Sequence, residues 1–317
     1  MRRFLIGTCL LLILMAGLTT PATADHQTVT FAETYSAVEV TGQDDFGVDL
    51  RMDIGAIDFY DVNTKGGDFT LMVINGFTRS FEVGEPNLPK ANKLLSIPFG
   101  SDLQVEVLNY EVQELNLHDL GYENPLIPVQ PSLSKSDDPE SVPFEFDQSL
   151  YQMDQTYILP IAEAQVLGSM RNVNIGRLSL SPVEYNPVKG TLRIYTSMEI
   201  RVNFINPDWA LTEEINLKYY SPFFSPIYDK LDNYQAPTTD KDDLVTYPIK
   251  YVIVSDRMFE TQLQPFIEWK TKKGFMVEVA YTDVIGSSTT AVTTYLENLY
   301  NSANPPTDPA PSFVLLV

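Results

Sequence analysis

Cysteine is almost absent from this sequence, and basic residues are scarce. The 317 residues contain one cysteine, Cys9, and carry 21 Lys and Arg residues against 42 Asp and Glu residues, a formal net charge of −21. Without cysteine pairs a disulfide framework is excluded, so stability must come from the burial of apolar surface. Surfaces that bind nucleic acid replace counterions with Lys and Arg, so the shortage of cations excludes nucleic acid as an expected partner.

A long apolar run is also missing. The longest, residues 4–18, has about 15 residues, whereas a membrane-spanning helix needs about 20. Arg2 and Arg3 precede this run and Ala22-Thr23-Ala24 follows it, which is the pattern of a secretory signal peptide. We therefore predict a signal peptide over residues 1–24, cleavage between Ala24 and Asp25, and a secreted or cell-surface product without a permanent membrane anchor in this chain. A retained anchor is the weaker alternative.

Helical periodicity is nearly missing from residues 25–234. Short runs of β-branched and aromatic residues alternate there with turn residues, which predicts an all-β domain, an antiparallel sandwich or a barrel-like fold. Residues 190–204 alternate most clearly, as a half-buried strand requires. The strands that we expect are residues 28–40, 57–62, 69–74, 103–115, 156–162, 164–167, 173–181 and 190–204, with 63–68 as the turn of a hairpin.

Two segments lack any period and are rich in Pro and acidic residues. Residues 131–150 contain three prolines, and we predict that they form a long exposed loop. Residues 232–248 are polar and end at Pro248. Because domain boundaries fall in such stretches, we place a linker at residues 235–249.

After Pro248 the pattern changes to alternating strands and helices, which predicts the beginning of an α/β domain over residues 250–317. Its expected elements, in βαβαβ order around a parallel sheet, are a strand at 251–255, a helix within 260–273, a strand at 276–281, a helix at 289–301 and a strand at 312–317. Pro265 is tolerated if that first helix begins near Gln262 or Gln264. Ligands bind at the carboxyl ends of such strands, so we expect the site to lie beyond Val317.

Three stretches carry a resemblance to a known family. They are Gly84-Glu85-Pro86-Asn87-Leu88-Pro89, then Ile97-Pro98-Phe99-Gly100, then the strand-rich residues 180–204. In this order, behind a secretion signal, they resemble the propeptide of gingipain-type secreted cysteine peptidases. Residues 251–282 resemble the opening of that family's caspase-like catalytic domain. The first stretch also has a plain structural reading, as a rigid extended turn between strands.

The resemblance implies a zymogen. An all-β propeptide would inhibit and help to fold its own catalytic domain, in which a Cys attacks peptide bonds of protein substrates and a His manages the proton. No catalytic residue can be assigned in this chain, because Cys9 lies in the signal peptide and His26 and His118 lie in the propeptide. We therefore expect this chain alone to be inactive, and His118 to be a surface or strand-end residue.

The resemblance also implies a basic plug and a processing site. In gingipain-type zymogens a prodomain loop places a basic side chain in the specificity pocket of the enzyme. Lys135 is the single Lys or Arg in residues 131–150, so it is the candidate plug, with an ordinary solvated lysine as the competing reading. Lys241 lies in an acidic stretch of the predicted linker, where cleavage would be accessible.

A metal site is not predicted in these residues. Residues 61–72 begin like a calcium loop, but Lys65 occupies the fifth position and Met72 stands where the bidentate Glu belongs. The family resemblance implies calcium as a cofactor, without ligands that can be assigned here. Lys65-Gly66-Gly67-Asp68 is a hairpin turn and not a phosphate loop, because no helix follows it.

Two other functions on the same fold stay open. One is a non-catalytic surface or secretion-system protein that acts in binding or assembly. The other is a transpeptidase that attaches cargo to the cell surface. A His and a later Cys at the carboxyl ends of successive strands would favour the peptidase, and those residues would follow Val317.

Overall fold

The computed structural model describes residues 26–236, 249–305 and 307–317. The predicted sites at Ala24, Asp25 and Lys241 lie outside these residues. Numbered in chain order, the described strands and α-helices are β1 (His26–Thr30), β2 (Ala37–Asp44), β3 (Gly47–Asp53), β4 (Ala56–Thr64), β5 (Gly67–Val73), β6 (Thr78–Arg79), β7 (Pro89–Ile97), β8 (Asp102–Asn116), α1 (Gln148–Tyr151), β9 (Ala162–Met170), β10 (Val173–Leu180), β11 (Val183–Asn186), β12 (Thr191–Ile205), α2 (Trp209–Tyr219), α3 (Ser225–Tyr228), β13 (Ile249–Ser255), α4 (Glu260–Lys272), β14 (Phe275–Tyr281), α5 (Thr282–Ile285), α6 (Thr289–Asn301) and β15 (Pro311–Leu316).

The strands β1 to β12 form three antiparallel sheets, so the all-β prediction is confirmed. Their orders are β1-β4-β5, β6-β7-β10-β9 and β11-β12-β3-β2, with β8 also paired to β12. One apolar core is common to the three sheets and includes Phe59 of β4, Leu95 of β7, Leu178 of β10 and Ile200 of β12. Strands such as β12 turn one face to this core because successive side chains point to opposite faces.

The clearest alternation in the sequence corresponds to β12. Leu192, Ile194, Met198, Ile200 and Val202 are almost fully buried, and the residues between them are mostly more exposed. β12 pairs with β3 and β8, so that Ile200 lies opposite both Leu50 and Val107. The hairpin is confirmed as well, because β4 and β5 pair from Asp58 and Val73 to Thr64 and Gly67. Its turn is tighter than expected and consists of Lys65 and Gly66 alone.

Three predictions for the β-rich region are wrong. The strand expected at residues 28–40 is two strands, β1 and β2, because β1 pairs with β4 and β2 pairs with β3 in a different sheet. Residues 156–161 do not form a strand before β9, because Pro160 has no amide hydrogen to donate to a neighbouring strand. A single bridge joins Tyr157 to Tyr185 instead. Helix α2 was not expected, because no residue of it is buried and no apolar stripe marks it in the sequence. Local capping supports this helix: the Asp208 side chain accepts a hydrogen bond from Leu211 N at 2.9 Å.

The second region is a small parallel sheet of order β14-β13-β15, so the βαβαβ prediction is confirmed, with α5 as an extra turn of helix. The central strand is covered on both faces. Tyr251 meets Phe266 of α4 with ring centroids 5.8 Å apart, whereas Val252 and Val254 pack with Leu296 of α6.

Two boundaries in this region differ from expectation. Ile249, assigned to the linker, is the first residue of β13. Helix α4 begins at Glu260, so Pro265 lies inside it and not in its first turn. The Asp256 side chain accepts from Met258 N at 2.8 Å and starts a 3-10 turn that runs into the helix. Early initiation at this cap therefore outweighs the one backbone hydrogen bond that proline removes.

Candidate functional site

The stretch Gly84–Pro89 forms the base of the long loop. Gly84 N donates to Val129 O at 2.9 Å, and Gly84 O accepts from Asp147 N at 3.0 Å. Val129 N in turn donates to Glu85 O at 2.8 Å. Both ends of the loop are therefore tied to two residues of the same motif. Glycine suits this position for two reasons: its φ is 87°, and a Cβ atom there would lie 3.3 Å from Asp147 N.

The neighbouring acids and phenols hold this base rigid. Tyr157 donates its hydroxyl to Glu85, and burial, followed by the effect of Glu85, raises the pKa of Tyr157. Asp147 caps α1 by accepting from Ser149 and Leu150. The Ser149 side chain contributes most to holding the pKa of the Asp147 carboxyl below its ordinary value. These bonds fix where the loop leaves the sheets and where it returns.

The two arms of the loop are bonded to each other near its base, and the loop also contacts the β4–β5 hairpin. Near the base, the side-chain amide of Gln130 donates to Glu145 O at 2.7 Å and accepts from Glu145 N at 3.0 Å. At the hairpin, Lys65 Nζ donates to Pro139 O at 2.7 Å and also to Val142 O. The loop is thus exposed, as predicted, but it is anchored to the sheets at several points.

Lys135 lies in a tight turn at the far end of this loop. Asp137 N donates to Ser134 O at 3.0 Å, and Ser134 N donates to an Asp137 carboxylate oxygen at 2.7 Å. Lys135 itself is exposed, and within the described residues its ammonium forms no ion pair. The turn therefore holds a cationic side chain out in the solvent.

A second contact surface joins the β-rich region to the parallel sheet. Arg171, in the turn between β9 and β10, donates from Nε to Tyr219 O at 3.1 Å and from a terminal nitrogen to Pro311 O at 2.7 Å. Its guanidinium also lies 4.8 Å from the Phe224 ring centroid. Arg171 has a φ of 53°, a strained conformation for a residue with a side chain, which persists only where the surroundings hold it.

Aromatic rings fill the rest of this interface. Tyr219 stacks on Tyr300 of α6 with centroids 4.8 Å apart and planes 7° from parallel. Phe223 meets Phe313 of β15 edge to face at 4.5 Å. Lys218 Nζ donates to Asn301 O at 2.9 Å. The segment after β12 thus binds the face of the parallel sheet region through stacked rings and a few charge-assisted hydrogen bonds.

The carboxyl ends of the parallel strands carry a charged pair. Arg257 Nε lies 2.6 Å from an Asp283 oxygen, and its guanidinium sits 4.3 Å from the centre of the Tyr281 ring. The hydrogen bond from Arg257 lowers the pKa of the Asp283 carboxyl. The pair thus links the segment after β13 to the segment after β14 at this edge of the sheet.

Both histidines pair with carboxylates of the β-rich region. His26 Nε2 lies 3.4 Å from Asp58, and His118 Nδ1 lies 3.1 Å from Glu123. Across residues 26–236, 249–305 and 307–317, no group of three or more His, Cys, Asp and Glu could hold a metal ion. Helices both long and apolar enough to cross a membrane do not occur in that same part of the chain.

Sequence reasoning missed several residues that the structure brings together. Lys65 was considered as a defect in a calcium loop, and its role as a contact of the Lys135 loop depends on carbonyls 74 and 77 residues away. Arg171 gave no signal, because a basic residue in a hairpin turn is common. A run of aromatic residues at 219–224, with four rings in six positions, was the available clue to the interface.

Comparison with known families matches two models in succession. Propeptide_C25 matches residues 36–218, and Peptidase family C25 matches residues 245–317. Among curated proteins, Lys-gingipain HG66 of Porphyromonas gingivalis is 33% identical over 271 residues, which is 85% of this chain and 16% of that protein. Gingipain R2 of the same species is 27% identical over 251 residues, 77% of this chain and 32% of that protein. The chain therefore spans a third or less of these relatives.

Two solved structures are similar as well. One, described as structural insight into zymogenic latency of gingipain K from Porphyromonas gingivalis, is 31% identical with a TM-score of 0.53 and covers 56% of this chain and 98% of its own. The other, a complex of RgpB pro- and mature domains from the same species, has 22% identity and a TM-score of 0.51, and covers 62% and 98%. The second likeness supports the fold alone.

Proposed function

The chain belongs to the gingipain family of cysteine peptidase precursors, with a C25 propeptide followed by the start of a C25 peptidase domain, and on that premise we propose that it is the amino-terminal part of a secreted cysteine endopeptidase zymogen. Residues 1–24 are its signal peptide, residues 25–234 the inhibitory propeptide, residues 235–248 the linker and residues 249–317 the first part of the peptidase domain, which begins with β13. The Cys and His that hydrolyse protein substrates lie beyond residue 317.

One observation carries the inhibitory role: a loop tied at both ends to Gly84 and Glu85 exposes Lys135 on a tight turn. A lysine at this place mimics the side chain before a scissile bond, and the loop that holds it would fill the specificity pocket of the enzyme. Because the loop is anchored, little conformational entropy is lost when it binds. The propeptide thus inhibits the peptidase as a substrate-like ligand.

The interface around Arg171 supports docking of the propeptide on its own peptidase domain. Tyr219 of the propeptide stacks on Tyr300 of the peptidase region, and Phe223 meets Phe313 edge to face. Such rings bind strongly when they leave water together. This contact would keep the propeptide bound after the linker is cut, so that cleavage alone does not release the active enzyme.

Substitution of Lys135 tests the inhibitory role. We expect Lys135→Ala in the propeptide to weaken inhibition of the mature enzyme by about 30-fold or more, since loss of a charged anchor from a buried site typically costs 2 kcal/mol or more. Lys189→Ala is the matched control, because the Lys189 side chain is also exposed and pairs with Asp154, which is not part of the loop. Unchanged inhibition by the Lys135 variant would exclude Lys135 as the plug.

Amino-terminal sequencing of the matured enzyme tests the processing site. Cleavage after Lys241 predicts a mature enzyme that begins at Asp242, and Lys241→Ala should slow its appearance. A start before Lys230 or after Tyr251 would rule out Lys241. Sequencing of the secreted precursor in the same experiment should find Asp25 as its first residue, and a first residue upstream of Asp25 would contradict cleavage after Ala24.

A further inference from the structure

The geometry points to a clasp in the propeptide: we propose that Lys65, with Gly66 beside it, positions the loop that presents Lys135, so that the tip of the β4–β5 hairpin sets how strongly the propeptide inhibits. The inference rests on the proposed role of Lys135. Lys65 is a positioning residue, because it acts on the enzyme only through the loop.

Lys65 joins two parts of the chain that are far apart in sequence. Its ammonium donates to Pro139 O at 2.7 Å and to Val142 O. Pro139 lies within a turn in which Ser141 N donates to Asp138 O at 3.0 Å, and Val142 directly follows this turn. An ammonium has three donors and suits two carbonyl acceptors at once, so Lys65 ties the returning arm of the loop to the sheet.

Gly66 lets the loop approach the hairpin closely. A Cβ atom built on Gly66 would lie 2.1 Å from Cδ1 of Phe144, which no real contact allows. Phe144 in turn stacks on Phe69 of β5 with ring centroids 5.4 Å apart. Since the φ of Gly66 is not in the left-handed region, glycine is needed here for space and not for backbone conformation.

Apart from the ring of Phe144, apolar side chains leave space unfilled between the loop and the hairpin. A cavity of about 260 Å³ lies between the hairpin tip and the loop and is lined by Lys65, Ile127, Leu133, Pro139 and Phe144 among others. Where side chains do not fill the space, the polar contacts at the rim decide how far the loop moves. The clasp therefore determines whether the Lys135 turn is held in one position before it meets the enzyme.

Amide hydrogen exchange on the intact, unprocessed precursor tests the clasp directly. We expect Lys65→Met to speed exchange in residues 133–144 by roughly tenfold, since one charge-assisted contact is lost, while Lys65→Arg keeps the donors and restores slow exchange. Gly66→Ala should have the same effect as Lys65→Met by displacing Phe144. Lys189→Met is the control and should leave the loop unchanged. Unchanged exchange in both Lys65→Met and Gly66→Ala overturns the clasp.

Peptide hydrolysis by the intact, unprocessed precursor tests what the clasp does. We expect Lys65→Met to raise this residual activity roughly tenfold and to add nothing in a Lys135→Ala background, because the loop then presents no plug. Additive effects would show that Lys65 acts through another surface and would overturn the inference. A Lys135→Ala precursor that is as latent as the wild type would instead overturn the proposed role of Lys135, whatever the exchange data show.

Discussion

At the residue scale, two glycines share the same φ but have different surroundings. Gly84 and Gly121 both have a φ of 87°. A Cβ on Gly84 would lie 3.3 Å from Asp147 N, whereas a Cβ on Gly121 would have nothing within 4 Å. Gly84 is buried at the loop base, and Gly121 is exposed. The pair therefore separates the cost of the left-handed conformation from the cost of close approach.

We predict that Gly121→Ala lowers the free energy of unfolding by about 1 kcal/mol, the price of a left-handed alanine. Gly84→Ala should lower it by about 2–3 kcal/mol, because it adds a steric contact with the loop base. Chemical unfolding of both variants measures the difference. Equal losses of unfolding free energy in the two variants would mean that Asp147 moves away from the added methyl group without a cost in stability.

At the scale of elements, a buried lysine holds the start of the central parallel strand. Lys250 is 1% exposed and pairs with Asp308, in the segment before β15, and with Glu278 of β14 at 3.4 Å. Both carboxylates keep contact with water, with side-chain exposures of 50% and 36%. The lysine thus links all three strands of the parallel sheet at their amino-terminal edge.

Neutralising an acidic partner of Lys250 should lower the stability of the fold more than replacing Lys250 itself. We predict that Asp308→Asn lowers the free energy of unfolding by about 2 kcal/mol, because it leaves a buried ammonium poorly paired. Lys250→Met should change it by less than about 1 kcal/mol, since an apolar chain of similar length removes the need for a partner. Fluorescence of Trp269 during denaturation, in a Trp209→Phe background, reports on this region. A larger loss in Lys250→Met would contradict the prediction.

At the scale of the whole molecule, the interface between the propeptide and the peptidase region depends on Arg171. It donates to one carbonyl of the propeptide, Tyr219 O, and to one of the peptidase region, Pro311 O. It also lies 5.8 Å from the ring centroid of Tyr300. A single side chain thus contacts both bodies at the centre of an aromatic interface, which is the usual setting of a binding hot spot.

We predict that Arg171→Met lowers the free energy that holds the two regions together by about 2 kcal/mol, because two hydrogen bonds from a charged donor are lost. Exchange of the β15 amides, next to Pro311, should become faster while exchange in β12 stays the same. Arg193→Met is the control, because Arg193 lies over Tyr195 and near Glu184 within the propeptide. If β15 exchange is unchanged in the Arg171 variant, the two regions are held together by the rings alone.

Much of the fold followed from local pattern. The alternation of residues 190–204 predicted β12, and the helix at 289–301 coincides with α6. Helix α2 was not predicted because it buries no residue, so its sequence shows no helical periodicity. The strand predicted at 156–162 had the composition of a strand, but Pro160 prevents regular pairing and only Tyr157 forms a bridge, with Tyr185. Periodicity reports burial on one face, and elements without such a face are invisible to it.

The sequence by itself determined the order of an all-β region before a βαβαβ region, the exposure of the Lys135 loop and the resemblance to gingipain precursors, because each depends on composition or on neighbours along the chain. The tertiary structure alone decided that Gly84 and Glu85 close the loop, that Lys65 holds its returning arm and that Arg171 joins the two regions. These contacts link residues tens of positions apart through backbone carbonyls. A carbonyl is present at every residue, so no side-chain pattern in the sequence indicates which one will be the acceptor.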